Sequence, residues 1–376
     1  MGEVAYIGVD GVARRITDGY IGIDGVARRI KKAYIGIGGV ARPCWGYGNE
    51  HYGTITGLSE ARSYMAATTL GDHALFGGGQ GNYGSVVTVD VYNTSLTSET
   101  SINLSEARYY LAATTLGDYA LFGGGECDNG YSATVDVYNT SLTSETPRSL
   151  SEARYGLAAT TVGDYALFGG GASSSFLSTV DAYDTSLTRT IPTSLSQARG
   201  ALSATTIGGY ALFGGGYGNG STVCSTVDAY DASLTRTIPA GLSQARYYLA
   251  ATAVGNYAIF GGGATGRISP SRVSTVDAYD TSLTQTVLTS LNEPRYDLAT
   301  TTVGNWALFG GGYGNGDSVV VDAYDTLLTK ARLASLSEAR SNLVATTVGN
   351  YALFGGGQSG SRDARIYHTT VDAYKM

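Results

Sequence analysis

The segment ARYYLAATTLGDYALFGGG, residues 107–125, recurs in seven copies whose internal spacing never changes. The arginines that open the copies are Arg62, Arg108, Arg154, Arg199, Arg246, Arg295 and Arg340, and each stands 17 residues before the last glycine of its GGG. A second landmark, V-D-x-Y, places aspartates at Asp90, Asp136, Asp181, Asp228, Asp277, Asp322 and Asp372. From each of the first six aspartates to the next arginine is 18 residues. All length variation therefore falls between GGG and aspartate, where the separation runs from 10 to 15. Such a chain is an array of one supersecondary unit in which a single loop absorbs every insertion.

Each unit parses into four short strands. L-A-A-T-T is the first, G-D or G-N makes a tight turn, and Y-A-L-F-G-G-G is the second. The variable segment leads to T-V-D-A-Y, the third, and N/D-T-S-L-T turns the chain into a fourth. S-E-A-R returns it to the next copy. A unit of this length with four antiparallel strands is a propeller blade, so the fold class is all-β.

The glycine cluster, the V-D-x-Y strand and the recurrent arginine resemble kelch repeats over about residues 52–376. The resemblance implies a seven-bladed β-propeller over 47–376. The last copy stops at VDAYKM without a fourth strand, while HYGTITGLSEAR precedes the first arginine as a fourth strand without predecessors. Residues 52–58 are therefore expected to complete the seventh blade, closing the ring and leaving only short edges. Kelch units usually carry a tryptophan after the tyrosine; here Ser-Leu-Thr occupies that region, and Trp45 and Trp306 lie elsewhere. Leu96, Leu142 and Leu187 are expected to fill the space.

Charge narrows the function. Residues 1–46 carry seven Lys/Arg and four Asp/Glu, and the remainder 17 and 27, giving +3 and −10. An acidic main domain argues against nucleic acid as partner. No apolar run reaches spanning length, so no membrane insertion is expected, and MGEVAYIGVDG has no secretory pattern, which predicts synthesis in the cytoplasm without a signal. Cys44, Cys127 and Cys224 are too few and too scattered for a metal site and read as free thiols. His51, His73 and His368 are far apart, and His73 takes the place of Tyr119 in the next copy. Neither metal nor cofactor is expected.

The arginines and aspartates occur once per blade, whereas catalysis needs a few groups in unlike environments. They are read as structural, an Arg–Asp pair between neighbouring blades. The glycines are not phosphate loops, since no helix follows, and instead permit close strand approach. The chain is read as a non-enzyme.

Loops of an antiparallel blade alternate between its two ends. The L-G-D/V-G-N and N-T-S-L-T/D-T-S-L-T turns share one end and barely vary. The opposite end carries the pair after each arginine (SY, YY, YG, GA, YY, YD, SN) and the loops after GGG, and both drift. Of 29 tyrosines, 12 fall in these segments. Tolerant surface loops drift toward Gly, Ser and Asn, but that drift does not account for the tyrosines. Tyrosine offers a large amphipathic contact at low entropic cost, the composition of a recognition surface. The expected ligand-binding residues are Tyr64, Tyr109, Tyr110, Tyr155, Tyr217, Tyr247, Tyr248, Tyr296, Tyr313 and Tyr367.

Residues 1–46 hold another repeat, YIGVDGVARRITDG, YIGIDGVARRIKKA and YIGIGGVARPCW, with Tyr6, Tyr20 and Tyr34 fourteen apart. Alternation around a D-G or G-G turn predicts β-hairpins, which need packing partners. These units resemble short repeats near the starts of tail and baseplate proteins of phages and prophages of Gram-positive bacteria. The resemblance implies docking to a larger particle through residues 1–46, with the propeller binding a cell-surface glycan or protein. A bacterial kelch scaffold for protein interactions and a carbohydrate-modifying propeller enzyme are the alternatives.

Overall fold

The structure, a computed structural model, describes residues 51–376 except 267–270 and 362–363, and in residues 1–50 the strand backbone alone. The chain divides into two compact units, Met1–Glu50 and His51–Lys375. In the first, Tyr6–Val9 pairs with Val12–Arg15, Tyr20–Ile23 with Val26–Arg29, and Ala33–Ile37 with Val40–Trp45, all antiparallel. The turn residues expected at 10–11, 24–25 and 38–39 lie outside the described residues, as does the Cys44 side chain.

The second unit is all-β, a succession of small antiparallel four-stranded sheets that fits a β-propeller built of tandem repeats. Among the described residues no helix is long and apolar enough to cross a membrane. The first sheet comprises Ala66–Leu70, His73–Gly77, Thr88–Asn93 and Ile102–Asn103, each strand bonded to the next in the chain. Six further sheets repeat this order, and the last takes Glu50–Ile55 as its fourth strand. The second and third strands are buried on both faces, which is why A-L-F-G and V-D-A-Y read as near-continuous runs rather than as alternation.

The core lies between sheets rather than within them. Phe76, Tyr92 and Leu96 of the first copy pack with Val348, Leu353 and Val371 of the seventh. Each sheet seats the phenylalanine of the next against the first glycine of its GGG: a Cβ at Gly77 would stand 2.6 Å from the Phe122 ring, and one at Gly355 would stand 2.8 Å from that of Phe76. The V-D-x-Y tyrosines reach back in the other direction. Tyr92 Oη donates to the Thr56 carbonyl at 3.0 Å, and Tyr138 Oη to that of Asn103 at 2.6 Å. The recurrent turn after the third strand has a local cause. Asn93 Oδ1 accepts from the Ser95 and Thr97 N–H groups, while Leu96 takes φ +60° and drops its side chain into the core. Leu187 is buried likewise, and Leu142 is half-buried against the core.

Threonines on the first strands join neighbours. Thr68 bonds Thr115 at 2.7 Å, Thr160 bonds Thr206 at 2.7 Å, and Thr346 of the last sheet bonds Thr69 of the first at 2.8 Å. The variable loop has a constant neck. In every copy the carbonyl of the third glycine accepts from the residue four before the aspartate, from Val86 to Gly79 through His368 to Gly357, at 2.9–3.0 Å.

Candidate functional site

Each repeated arginine is fully buried, and so is its aspartate to within 1%. Arg62 Nη2 meets Asp90 Oδ2 at 2.6 Å, and Arg154–Asp181, Arg199–Asp228, Arg246–Asp277 and Arg295–Asp322 lie at 2.6–2.7 Å, with Arg108–Asp136 and Arg340–Asp372 also paired. Nη2 also donates to the phenylalanine carbonyl 14 residues on, at 3.0–3.2 Å. Burial lowers the affinity of Arg108, Arg246, Arg295 and Arg340 for their protons, and the facing carboxylates oppose this.

The expected bridge between neighbouring blades needs correction, because both partners of each ion pair belong to one copy. What crosses to the neighbour is the arginine backbone. Arg108 N–H donates to Val86 O, and its carbonyl accepts from Gly79, both in the preceding copy, at 3.2 and 2.9 Å. The side chain enters its own sheet while the main chain holds the sheet before it.

The pair after the arginine is fixed by this anchor. Its second member is left-handed in all seven copies, with φ from +51° to +61°: Tyr64, Tyr110, Gly156, Ala201, Tyr248, Asp297 and Asn342. Each N–H donates to the carbonyl of the equivalent residue one copy back, at 2.9–3.2 Å. The seven bonds run head to tail and return from Tyr64 to Asn342. This gathers the seven residues around one small cavity of about 200 Å³.

Beside it lies a larger cavity of about 470 Å³, within the usual range for small-molecule sites. Its floor exists because copies three and four have small residues, Gly156, Gly200 and Ala201, where others carry tyrosine. Its walls are Tyr110, Tyr155, Phe176, Tyr217, Tyr247 and Tyr248, with Glu126 at the edge. The rings stand inclined: Tyr217 to Tyr247 at 5.6 Å and 52°, Tyr247 to Tyr248 at 5.0 Å and 53°, Phe176 to Tyr217 at 5.2 Å and 76°. The Tyr109 phenol is pushed up to about 12, first by burial and then by Glu126. In the smaller cavity, burial pushes the Asp297 carboxyl up to about 7, against a hydrogen bond with Asn342.

Six of the ten expected tyrosines meet at these cavities: Tyr64, Tyr110, Tyr155, Tyr217, Tyr247 and Tyr248. Tyr109 packs on Tyr110 just outside, and Tyr296 and Tyr313 pair at 5.7 Å beside Tyr248. Tyr367 stands apart in the seventh loop, pairing with Gln358. The ten are less open than a display surface suggests, since only Tyr248 counts as exposed. The rings bury against one another, as amphipathic rings do.

Glu126, Phe176 and Asp297 were not among the expected residues; the small pairs YG and GA in adjacent copies were the available signal. His51 bonds Asp372 at 2.8 Å, His73 faces Glu99 and His368 faces Glu338, and no metal-binding cluster occurs among the described residues. Cys127 and Cys224 are free. No family model matches the chain, and no curated protein matches it.

Proposed function

We propose that the chain is a kelch-type, seven-bladed β-propeller closed by its N-terminal strand, and that it works as a non-enzymatic binding protein. It recognises a cell-surface glycan or protein through the variable face, as a component of a phage or tail-like particle, with the N-terminal hairpins docking to the rest of that particle. The closed ring draws support from the head-to-tail hydrogen bonds between Tyr64 and Asn342 and from the Thr346–Thr69 bond. The binding reading rests on one observation: an aromatic-walled cavity opens on the face that carries nearly all variation between copies.

The test is a binding screen of the full chain against bacterial cell walls and a glycan array, beside a variant with Tyr109, Tyr110, Tyr247 and Tyr248 changed to Ala. Binding lost in a variant that still unfolds cooperatively supports the reading. Binding unchanged in the variant removes the variable face from the account. Capture of other proteins with no surface binding favours an interaction scaffold.

A further inference from the structure

On the reading of the variable face as a binding surface, its two cavities adjoin as one site, because Tyr110, Gly156, Ala201 and Tyr248 line both. The lobes differ in character. The larger is walled mainly by aromatic rings, while the smaller brings together Tyr64, Tyr110, Tyr248, Asp297 and Asn342, each from a different copy. The Asp297 and Asn342 side chains hydrogen-bond each other. The Tyr64 and Tyr110 phenols do the same, with their rings 4.3 Å apart and inclined at 45°. Burial raises the phenols of Tyr64, Tyr110 and Tyr248, and the Asp297 charge raises each further, so polar groups of four copies converge here.

Backbone conformation alone does not select this set. Asp and Asn tolerate positive φ better than most side chains, yet Tyr64, Tyr110, Ala201 and Tyr248 hold the same conformation. The set is also held in place. Gln358 donates to Tyr64 Oη at 3.3 Å and accepts from the Ser63 hydroxyl at 3.0 Å. From the seventh loop Arg365, hydrogen-bonded to Tyr367, acts on the Tyr64 and Tyr110 phenols, the same two on which Asp297 acts. A cation would meet Arg365 and an anion would meet Asp297, so a ligand of either charge faces its own sign. Neutral hydroxyls, each able to donate and to accept, suit a carboxyl, an amide, phenols and a guanidinium set side by side. A pyranose ring carries such hydroxyls on its edge and C–H groups on its faces, and those faces pack on amphipathic rings such as Tyr110 and Tyr248.

We propose that the adjoining cavities bind a neutral saccharide, the hydroxyls of one pyranose ring bonding Asp297, Asn342 and the Tyr110 phenol while a C–H face of that ring packs on Tyr248. The larger lobe, of about 470 Å³, takes the next ring of the sugar chain against Tyr155 and Tyr247. The polar groups replace the water around the hydroxyls, and the tyrosines cover the apolar faces.

The test is calorimetric titration of the full chain with the methyl pyranosides of glucose, galactose, mannose, rhamnose and N-acetylglucosamine, with choline chloride and sodium acetate as charged controls at matched ionic strength. Saturable binding of at least one sugar and of neither charged control is expected. Asp297→Ala and Asn342→Ala should each weaken sugar binding about tenfold, the scale of one hydrogen bond to a charged or strongly polar group. Both should keep a cooperative thermal transition, since Ala201 holds the equivalent position in copy four. Tyr110→Phe, which loses a hydroxyl and keeps the ring, should weaken binding as well. Tyr83→Ala, at a fully exposed position of the first variable loop, should leave it unchanged. Absence of saturable sugar binding, binding of a charged control in its place, or unchanged affinity in the Asp297 or Asn342 variant each overturns the assignment, and so does an equal loss in Tyr83→Ala. A parallel arm measures adhesion to bacterial cell walls by the parent and by a variant carrying both Asp297→Ala and Asn342→Ala. Adhesion that this variant retains sinks the saccharide site and leaves the binding function standing. Sugar binding without adhesion does the reverse.

Discussion

The backbone N–H of Tyr64 donates to the carbonyl of Asn342 at 3.2 Å, linking the first repeat copy to the seventh. Both residues are left-handed, at φ +56° and +53°, a strained conformation for non-glycine residues. Two residues before Tyr64, Arg62 is anchored through its backbone to the seventh copy and through its guanidinium to the first.

The arginine–aspartate pairs should therefore dominate local stability. Asp181 accepts from Arg154, from the Ser151 N–H and from its hydroxyl, at 2.6–3.0 Å. Asp181→Ala leaves a buried guanidinium without its counter-charge and should cost about 3–5 kcal/mol. Chemical denaturation checks this; a loss of under about 1 kcal/mol, the scale of an exposed pair, would contradict the buried geometry.

The first glycine of each triplet should be intolerant of any side chain. A Cβ at Gly169 would stand 2.8 Å from the Phe213 ring. Gly169→Ala should destabilise by about 1–3 kcal/mol, and adding Phe213→Leu should recover part of that loss. Melting curves of the single and double variants decide the point.

The junction between copies four and five lacks a threonine bond, since copy five has Ala253 where Thr205 of copy four would find a partner. Ala253→Thr should add the bond made at Thr160–Thr206 and stabilise by about 0.5–1.5 kcal/mol. An unchanged or lowered denaturation midpoint would count against the threonine contacts as a stabilising feature.

Asp297 should give stability a pH dependence of definite sign. Burial raises its carboxyl from 3.8 to about 7, so between those values the native state keeps a proton that the unfolded chain has released. Stability contributed by this group is greatest at the acid end and falls as pH rises through the window. Asp297→Asn should flatten that part of the profile relative to the parent; unfolding midpoints measured across the window in both proteins test it.

The sheets were legible because the ruler has physical ends. Seventeen residues separate Arg62 from Gly79, and a Cβ on that glycine would meet Ser63 O at 2.8 Å and Arg62 Cδ at 3.3 Å, so an insertion between them would break a contact. The arginine–aspartate spacing carried no such information about which neighbour each side chain faces. Arg108 is bonded to one copy by its backbone and to another by its guanidinium, and sequence order cannot tell these apart. The cavity was hidden for another reason. It is made by what Gly156, Gly200 and Ala201 lack, and a missing side chain becomes a space only when two copies stand side by side. Glu126 and Phe176 come from drifting loops, where no repeat position marks them out.

The constant neck of the variable loop makes that loop an exchangeable cartridge. Whatever its length, it leaves from a glycine carbonyl and returns to that carbonyl four residues before the aspartate. Recombination between any two copies, cut within their shared segments, would deliver a foreign loop onto the same two fittings with the reading frame of the strands preserved. Seven such sockets would let a lineage exchange one loop at a time, while the buried arginines and their aspartates stay as they are.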